Sequence, residues 1–86
     1  MIKMVAMLQP FETIQKIYVY ENGNILEVSS TSLDNLPTAV FALKDKYNIT
    51  KMDLVGSSRF SKGYKDKILK EELARYNVST LDITVQ

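Results

Sequence analysis

The sequence of 86 residues contains no cysteine, no histidine and no tryptophan. Without cysteine and histidine the chain cannot form disulfides, thiol nucleophiles, histidine bases or the usual zinc sites. Glycine and proline are scarce as well, with three glycines and two prolines, so each of them marks a particular turn or helix start. These absences remove most catalytic and metal centres, and we expect neither a cofactor nor a metal ion.

The overall composition is that of a small globular protein. Hydrophobic residues make up 45% and charged residues 24% of the chain, with a net charge of +1. This balance predicts a single domain over residues 1–86 and argues against disorder or a strongly basic nucleic-acid binder. No apolar run approaches the ~18–20 residues that span a membrane. We therefore expect no membrane association and, because no export signal is recognised, a cytoplasmic protein.

An internal repeat organises the second half of the chain. Residues 47–54 read Tyr-Asn-Ile-Thr-Lys-Met-Asp-Leu, and residues 76–83 read Tyr-Asn-Val-Ser-Thr-Leu-Asp-Ile. Each copy has the pattern of a helix end, a polar stop and a strand, with Asn48 and Asn77 suited to the left-handed conformation that ends helices. Two consecutive helix–strand units predict parallel strands in one sheet.

The first half of the chain predicts three strands. Residues 2–8 are apolar on both sides, which is typical of a strand covered on both faces. Residues 14–20 place Ile17 and Val19 on one face, and Tyr18 and Tyr20 on the other. The following Asn-Gly pair accepts the positive φ angles of a type I′ turn and predicts a tight hairpin to a third strand at 25–29.

The second half predicts two helices and two strands. Pro37 fits only a first helical turn, so the first helix begins near Asp34 or Asn35. Strands are predicted at 52–55 and, at a half-exposed edge of the sheet, at 81–85. The buried stripes of the helices are Leu36, Val40, Leu43 and Tyr47 in the first, and Tyr64, Ile68, Leu69, Leu73 and Tyr76 in the second.

The resulting β-β-β-α-β-α-β order resembles the minimal ribonuclease H-like fold, which also underlies the actin-like and Holliday-resolvase families. The resemblance implies an α/β fold with one mixed five-stranded sheet, strand order 3-2-1-4-5 and two helices. Active members hold two divalent ions with a carboxylate on the first strand, but residues 1–8 contain no acid. The actin-like phosphate loop, which needs an acid and a glycine on the first hairpin, is not matched either. We therefore predict that the protein is not an enzyme.

One candidate binding segment follows the fourth strand. Residues 56–67 lie where open α/β sheets place ligands, and a helix N-terminus there would attract anions. The segment matches no established phosphate-binding motif, which favours solvated lysines over the alternative, a site for an anion or single-stranded nucleic acid. The candidate residues are Gly56, Ser57, Ser58, Arg59, Lys62 and Lys65.

Tyr18 and Tyr20 form a second candidate site. Two tyrosines on one strand face either pack under a helix or lie in a protein–protein interface. A small domain has a modest core, and burying such a face against another chain would stabilise it. We therefore expect a homo-oligomer or a protein partner. Together these features predict a binding or assembly module that self-associates, and the composition also suits a phage or mobile-element accessory protein.

The repeated acids Asp53 and Asp82 allow two interpretations. If the strands pair in the register that the repeat suggests, the two carboxylates lie side by side and could bridge a cation or share a proton. Alternatively, each faces solvent and is compensated by a lysine such as Lys51. No third oxygen ligand is evident, which favours the second interpretation.

Overall fold

A mixed β-sheet with one helix against it forms the part of the chain that the computed structural model describes, residues 2–9, 12–56 and 81–85. The predicted second helix falls within residues 57–80, outside these ranges. The elements are β1 (Ile2–Leu8), β2 (Ile14–Glu21), β3 (Asn24–Ser32), α1 (Leu36–Tyr47), β4 (Lys51–Gly56) and β5 (Asp82–Val85).

The strand order is β3-β2-β1-β4-β5, which confirms the predicted topology and the central position of β1. β1 pairs antiparallel with β2 and parallel with β4, and β4 pairs parallel with β5. A strand in this position contributes its alternate side chains to both faces of the sheet. On one face Met4, Ala6 and Leu8 are buried, whereas on the other Met7 is 36% exposed. Among the described residues, the burial agrees with the predicted coverage of β1 on the face of Met4, Ala6 and Leu8, and the coverage of the other face stays a prediction.

The hairpin between β2 and β3 has the predicted turn. Asn22 and Gly23 both have positive φ angles, 51° and 83°, as a type I′ turn requires. The pairing shifts register between Val19 and Tyr20, because Leu26 is an extra residue in β3. This β-bulge was not predicted, since no Gly marks it. β3 also continues to Ser32 rather than ending at Ser29.

Helix α1 begins and ends on asparagines. Asn35 has a non-helical backbone and precedes Leu36, so the helix starts one to two residues after the predicted position, with Pro37 in its first turn. At the other end Asn48 adopts the left-handed conformation, with φ 54°, and the Ile49 N–H donates to the Lys44 carbonyl oxygen at 3.0 Å. The predicted role of Asn48 is thus confirmed, whereas Asn77 lies outside the described residues.

The hydrophobic core lies between α1 and one face of the sheet, which we call the helix face. Leu36, Val40 and Leu43 of α1 belong to it. Burial of these side chains supplies most of the stabilisation of such a layer. The sheet contributes Met4, Ala6, Leu8, Ile17, Val19, Met52 and Leu54, and Ile49 and Leu81 complete the buried set.

Candidate interaction surface

The sheet face opposite α1 carries both candidate tyrosines, and we call it the tyrosine face. Cross-strand partners share a face in an antiparallel pair, and the register aligns Val5 with Tyr18 and Tyr18 with Val28. These three side chains form an apolar row across β1, β2 and β3. The further side chains of this face on the same strands are Lys3, Met7, Ile14, Lys16, Tyr20, Ile25, Ser30 and Ser32.

Tyr18 and Tyr20 contact each other on this face. Their ring centroids are 6.2 Å apart and the ring planes are inclined by 23°, a stacked arrangement. Both rings are half-buried. The predicted orientation of the two tyrosines, away from Ile17 and Val19, is confirmed. Their role in an interface stays a prediction.

Large apolar side chains beside the tyrosines are open to solvent. Ile25, which lies opposite Tyr20, is 56% exposed, and Val28, opposite Tyr18, is 46% exposed. No helix among the described residues lies over them, since α1 packs on the opposite face. Scattered apolar residues are ordinary on a surface, but a contiguous group on one sheet face marks an interaction site.

An ion pair borders the apolar row on the side of β4. The Lys3 ammonium lies 2.6 Å from the Asp53 carboxylate, which is largely covered. A pair of this kind at the surface contributes only ~0–1 kcal/mol, but it neutralises the acid nearest to Val5. With Ile2, Thr50, Lys51 and Thr84, this pair lines a small cleft of about 170 Å³.

The register of β4 and β5 decides between the two interpretations of the repeated acids. Asp82 lies opposite Lys51, and Asp53 lies opposite Thr84. The interpretation that places the two carboxylates side by side is therefore wrong. The observed register differs by two residues from the one that the repeat suggests. Asp53 is compensated by a lysine, as the second interpretation expects, and that lysine is Lys3. Within residues 2–9, 12–56 and 81–85, no group of three acidic residues is arranged to hold a metal ion.

Of the candidate anion segment at 56–67, only Gly56 is among the described residues. It ends β4 and lies opposite Leu8, the last residue of β1. The carboxyl ends of two parallel strands thus meet beside the start of the segment. Ser57, Ser58, Arg59, Lys62 and Lys65 lie outside the described residues, so their role stays a prediction.

Glu27, on the helix face, was not singled out from the sequence. Its carboxylate accepts hydrogen bonds from the Lys46 ammonium at 2.6 Å, the Tyr47 hydroxyl at 2.8 Å and the Ser29 hydroxyl at 3.3 Å. The hydrogen bond from Lys46, followed by that from Tyr47, lowers the pKa of Glu27 below its ordinary value. The same contacts raise the pKa values of Lys46 and Tyr47. This cluster fixes the end of α1 to β3, and only the three-dimensional proximity of the two elements reveals it.

The Gln15 side chain forms hydrogen bonds to the backbone of the connection between β1 and β2. It is buried, accepts the Gln9 N–H at 2.6 Å, and donates to the carbonyl oxygens of Gln9 and Glu12. A buried amide needs such partners, because an unsatisfied one is costly. Gln15 therefore stabilises the connection between β1 and β2.

Comparison with known proteins supports the fold and assigns no family. No family model and no curated protein matches the chain. A crystal structure of a Bacteroides thetaiotaomicron protein with an actin-like ATPase fold and unknown function is similar, with a TM-score of 0.62 and 15% identity. The similarity covers 99% of this chain and 32% of the Bacteroides protein. At this identity the likeness shows the fold alone. No helix in the described ranges is long and apolar enough to cross a membrane.

Proposed function

We propose that this chain is a non-enzymatic binding and assembly module that self-associates through its tyrosine face. The observation that carries the proposal is the apolar row of Val5, Tyr18 and Val28, flanked by the stacked ring of Tyr20. Tyrosines provide large contact areas at a small entropic cost and are enriched in protein interfaces.

The size of the tyrosine face fits an interface of modest affinity. Its strands are four to nine residues long, lie about 4.8 Å apart and rise about 3.3 Å per residue, which gives an area on the order of 500 Å². Two such faces packed together bury about 1,000 Å² in total, near the lower limit for specific interfaces. The Lys3–Asp53 pair at the border leaves no uncompensated acid beside the apolar row.

The absence of a carboxylate from β1 supports the non-enzymatic part of the proposal. The central positions of this strand on the helix face are Met4 and Ala6, both fully buried. Neither side chain is a ligand for Mg²⁺ or Mn²⁺, whereas active members of the resembled ribonuclease H-like fold hold their two metal ions with an acid on this strand. We expect no hydrolysis of oligonucleotides or ATP with Mg²⁺ or Mn²⁺, and metal-dependent turnover would refute this part.

Sedimentation velocity at micromolar concentration tests the assembly. The wild-type chain should associate reversibly, and the double variant Tyr18→Ser/Tyr20→Ser should associate more weakly because it loses both rings. Phe41→Ser is the matched control, because Phe41 is an aromatic residue 41% exposed on α1, away from the tyrosine face. A wild-type monomer throughout the accessible range, or equal effects of the tyrosine and phenylalanine variants, would refute assembly through this face.

A second candidate function is anion or single-stranded nucleic-acid binding by residues 56–67. The position of Gly56 beside the carboxyl ends of β1 and β4 favours it, because open α/β sheets bind ligands there. Such binding should weaken with salt with a log–log slope of about −0.7 per phosphate contacted. Arg59→Ala and Lys62→Ala should weaken it, and Lys51→Ala should matter less. No binding to oligonucleotides or nucleotides at low salt would refute it.

A further inference from the structure

The two edges of the sheet differ in how they are protected. Edge strands expose unpaired backbone groups, which proteins shield by short strands, charges or proline. β5 has four residues, and its first residue is the exposed Asp82. β3, at the other edge, has nine residues and contains neither proline nor a basic residue. No strand in the described part of the chain pairs with its outer side.

The single charge of β3 does not protect this edge. Glu27 belongs to the helix face, where Lys46, Tyr47 and Ser29 bind its carboxylate. The remaining residues of the strand are apolar or carry hydroxyl or amide groups. β3 therefore has no exposed charge that would repel a further strand.

The pairing with β2 determines which backbone groups of β3 point outward. In a hairpin with a two-residue turn, Glu21 and Asn24 form a hydrogen-bonded pair, and such pairs alternate with pairs that are not bonded. With the bulge at Leu26, this alternation directs the N–H and C=O groups of Val28 and Ser30 away from β2. Towards the turn, the bulge limits the part of β3 that can pair with a further strand. At the other end of β3, the Ser32 carbonyl oxygen already accepts the Asn35 N–H at 3.2 Å.

We propose that two copies of the chain pair antiparallel along β3, with Ser29 at the two-fold axis. Val28 of one copy then lies opposite Ser30 of the other, and each exchanges its outward N–H and C=O groups with its partner. In this register Glu27 lies opposite Thr31, so no like charges face each other across the contact. The two tyrosine faces become neighbours on one continuous sheet.

A second copy fits this edge with the groups already present, because the segment from Glu27 to Thr31 pairs with itself in reverse without opposing like charges. The area of the tyrosine face is a further argument. At about 1,000 Å² in total that face gives only a marginal interface, and backbone pairing at the edge adds a separate contact. The inference rests on the proposed self-association but not on the tyrosine face being its route.

Proline at position 30 tests the edge contact. Ser30→Pro removes the outward N–H without removing a hydrogen bond to β2, and proline is tolerated at such edge positions. In sedimentation velocity it should weaken association by about tenfold or more, because each copy loses a donor and the ring blocks the approach of the partner. Ser30→Ala, which keeps the N–H, should associate like the wild type. Ser30→Pro with wild-type association would overturn the proposal.

Combining variants distinguishes the edge from the tyrosine face. Ser30→Pro and Tyr18→Ser/Tyr20→Ser should each remove one contact, and the triple variant should be monomeric. If Tyr18→Ser/Tyr20→Ser associates like the wild type and Ser30→Pro does not, the tyrosine face is refuted and the edge contact stands. If Ser30→Pro associates like the wild type and the tyrosine variant does not, the edge contact is refuted and the tyrosine face stands. If Ser30→Pro does not fold, amide hydrogen exchange of the wild type tests the edge contact instead. Protection of the Val28 and Ser30 N–H groups should rise with protein concentration, and constant protection would overturn the edge contact.

Discussion

Asn22 and Gly23 occupy the two positions of the hairpin turn that need positive φ angles. The sequence alone predicted both, because this dipeptide combines the residue types that accept the left-handed region most readily. Local conformational preference decides such positions without help from the rest of the fold, which is why they are predictable.

Gly23→Ala should destabilise the protein by about 1 kcal/mol. Nothing lies within 4 Å of the position that a Cβ would take, so the expected cost comes from the backbone φ of 83° and not from a clash. Chemical denaturation measures it, and Asn24→Ala, outside the two central turn positions, is the control. An unchanged free energy of unfolding in Gly23→Ala would contradict the assigned turn.

Glu27, in contrast, was not predictable from the sequence. Nineteen residues separate it from Lys46 and twenty from Tyr47, and no periodic pattern links the two regions. The contact arises only because β3 and the end of α1 meet on the helix face. Interactions of this kind depend on tertiary geometry, which single-sequence patterns do not contain.

The Glu27 cluster should make stability depend on pH. Because the pKa of Glu27 is lowered, its stabilisation is complete above the ordinary value of 4.5 and is lost as the pH falls through the lowered value. The free energy of unfolding should therefore decrease less steeply below pH 4.5 in Glu27→Gln than in the wild type. Thermal unfolding as a function of pH measures this. Glu21→Gln, an exposed acid at the end of β2, should follow the wild type.

At alkaline pH the cluster should make stability decrease, and no longer increase, as the pH rises. The pKa values of Lys46 and Tyr47 are raised by their hydrogen bonds to Glu27. Their contribution is present below the ordinary values of 10.5 and 10.0 and is lost as the pH rises through the raised values. If wild type and Glu27→Gln lost stability in parallel at both ends of the pH range, the cluster would make no contribution to folding.

At the scale of the element, strand and helix positions were predictable but their ends were not. β1 and the start of β2 agree with the apolar pattern, whereas β3 extends three residues past its predicted end at Ser29. The residues Ser30, Thr31 and Ser32 are polar and lie beyond the predicted end of the strand. An edge strand needs no apolar pattern on its exposed side, because backbone pairing with β2 alone can hold it.

The end of α1 provides a test at this scale. Asn48→Ala should destabilise the protein by about 1 kcal/mol, because alanine tolerates the left-handed conformation less well than asparagine. Asn48→Gly is the matched control and should be neutral or slightly stabilising. Equal effects of alanine and glycine, measured by chemical denaturation, would show that the conformation of Asn48 does not determine the helix end.

At the scale of the whole molecule, the strand order was predictable from the β-β-β-α-β-α-β pattern, since crossover rules leave few alternatives. The register between β4 and β5 was not, because the sequence repeat aligned Asp53 with Asp82 whereas the strands pair Asp53 with Thr84. Similar residues in two consecutive units do not have to lie opposite each other. The shift also separates the acids that would have formed a cation site.

The tyrosine face belongs to this scale as well. Its two tyrosines were predictable from alternation along β2, but the exposed apolar residues around them come from three strands and required the register. Because α1 covers the helix face, the proposed binding surface is the opposite side of the sheet. The edge contact through β3 would place two such faces side by side on one continuous sheet.

Hydroxyl-radical footprinting at low and high protein concentration tests the central claim most directly, since it reports the accessibility of Tyr18 and Tyr20 in the unmodified chain. Labelling of both tyrosines should fall as the protein concentration rises and the tyrosine faces become covered, whereas labelling of the exposed Phe41 on α1 should stay constant. Constant labelling of both tyrosines in a sample that has associated would contradict the account.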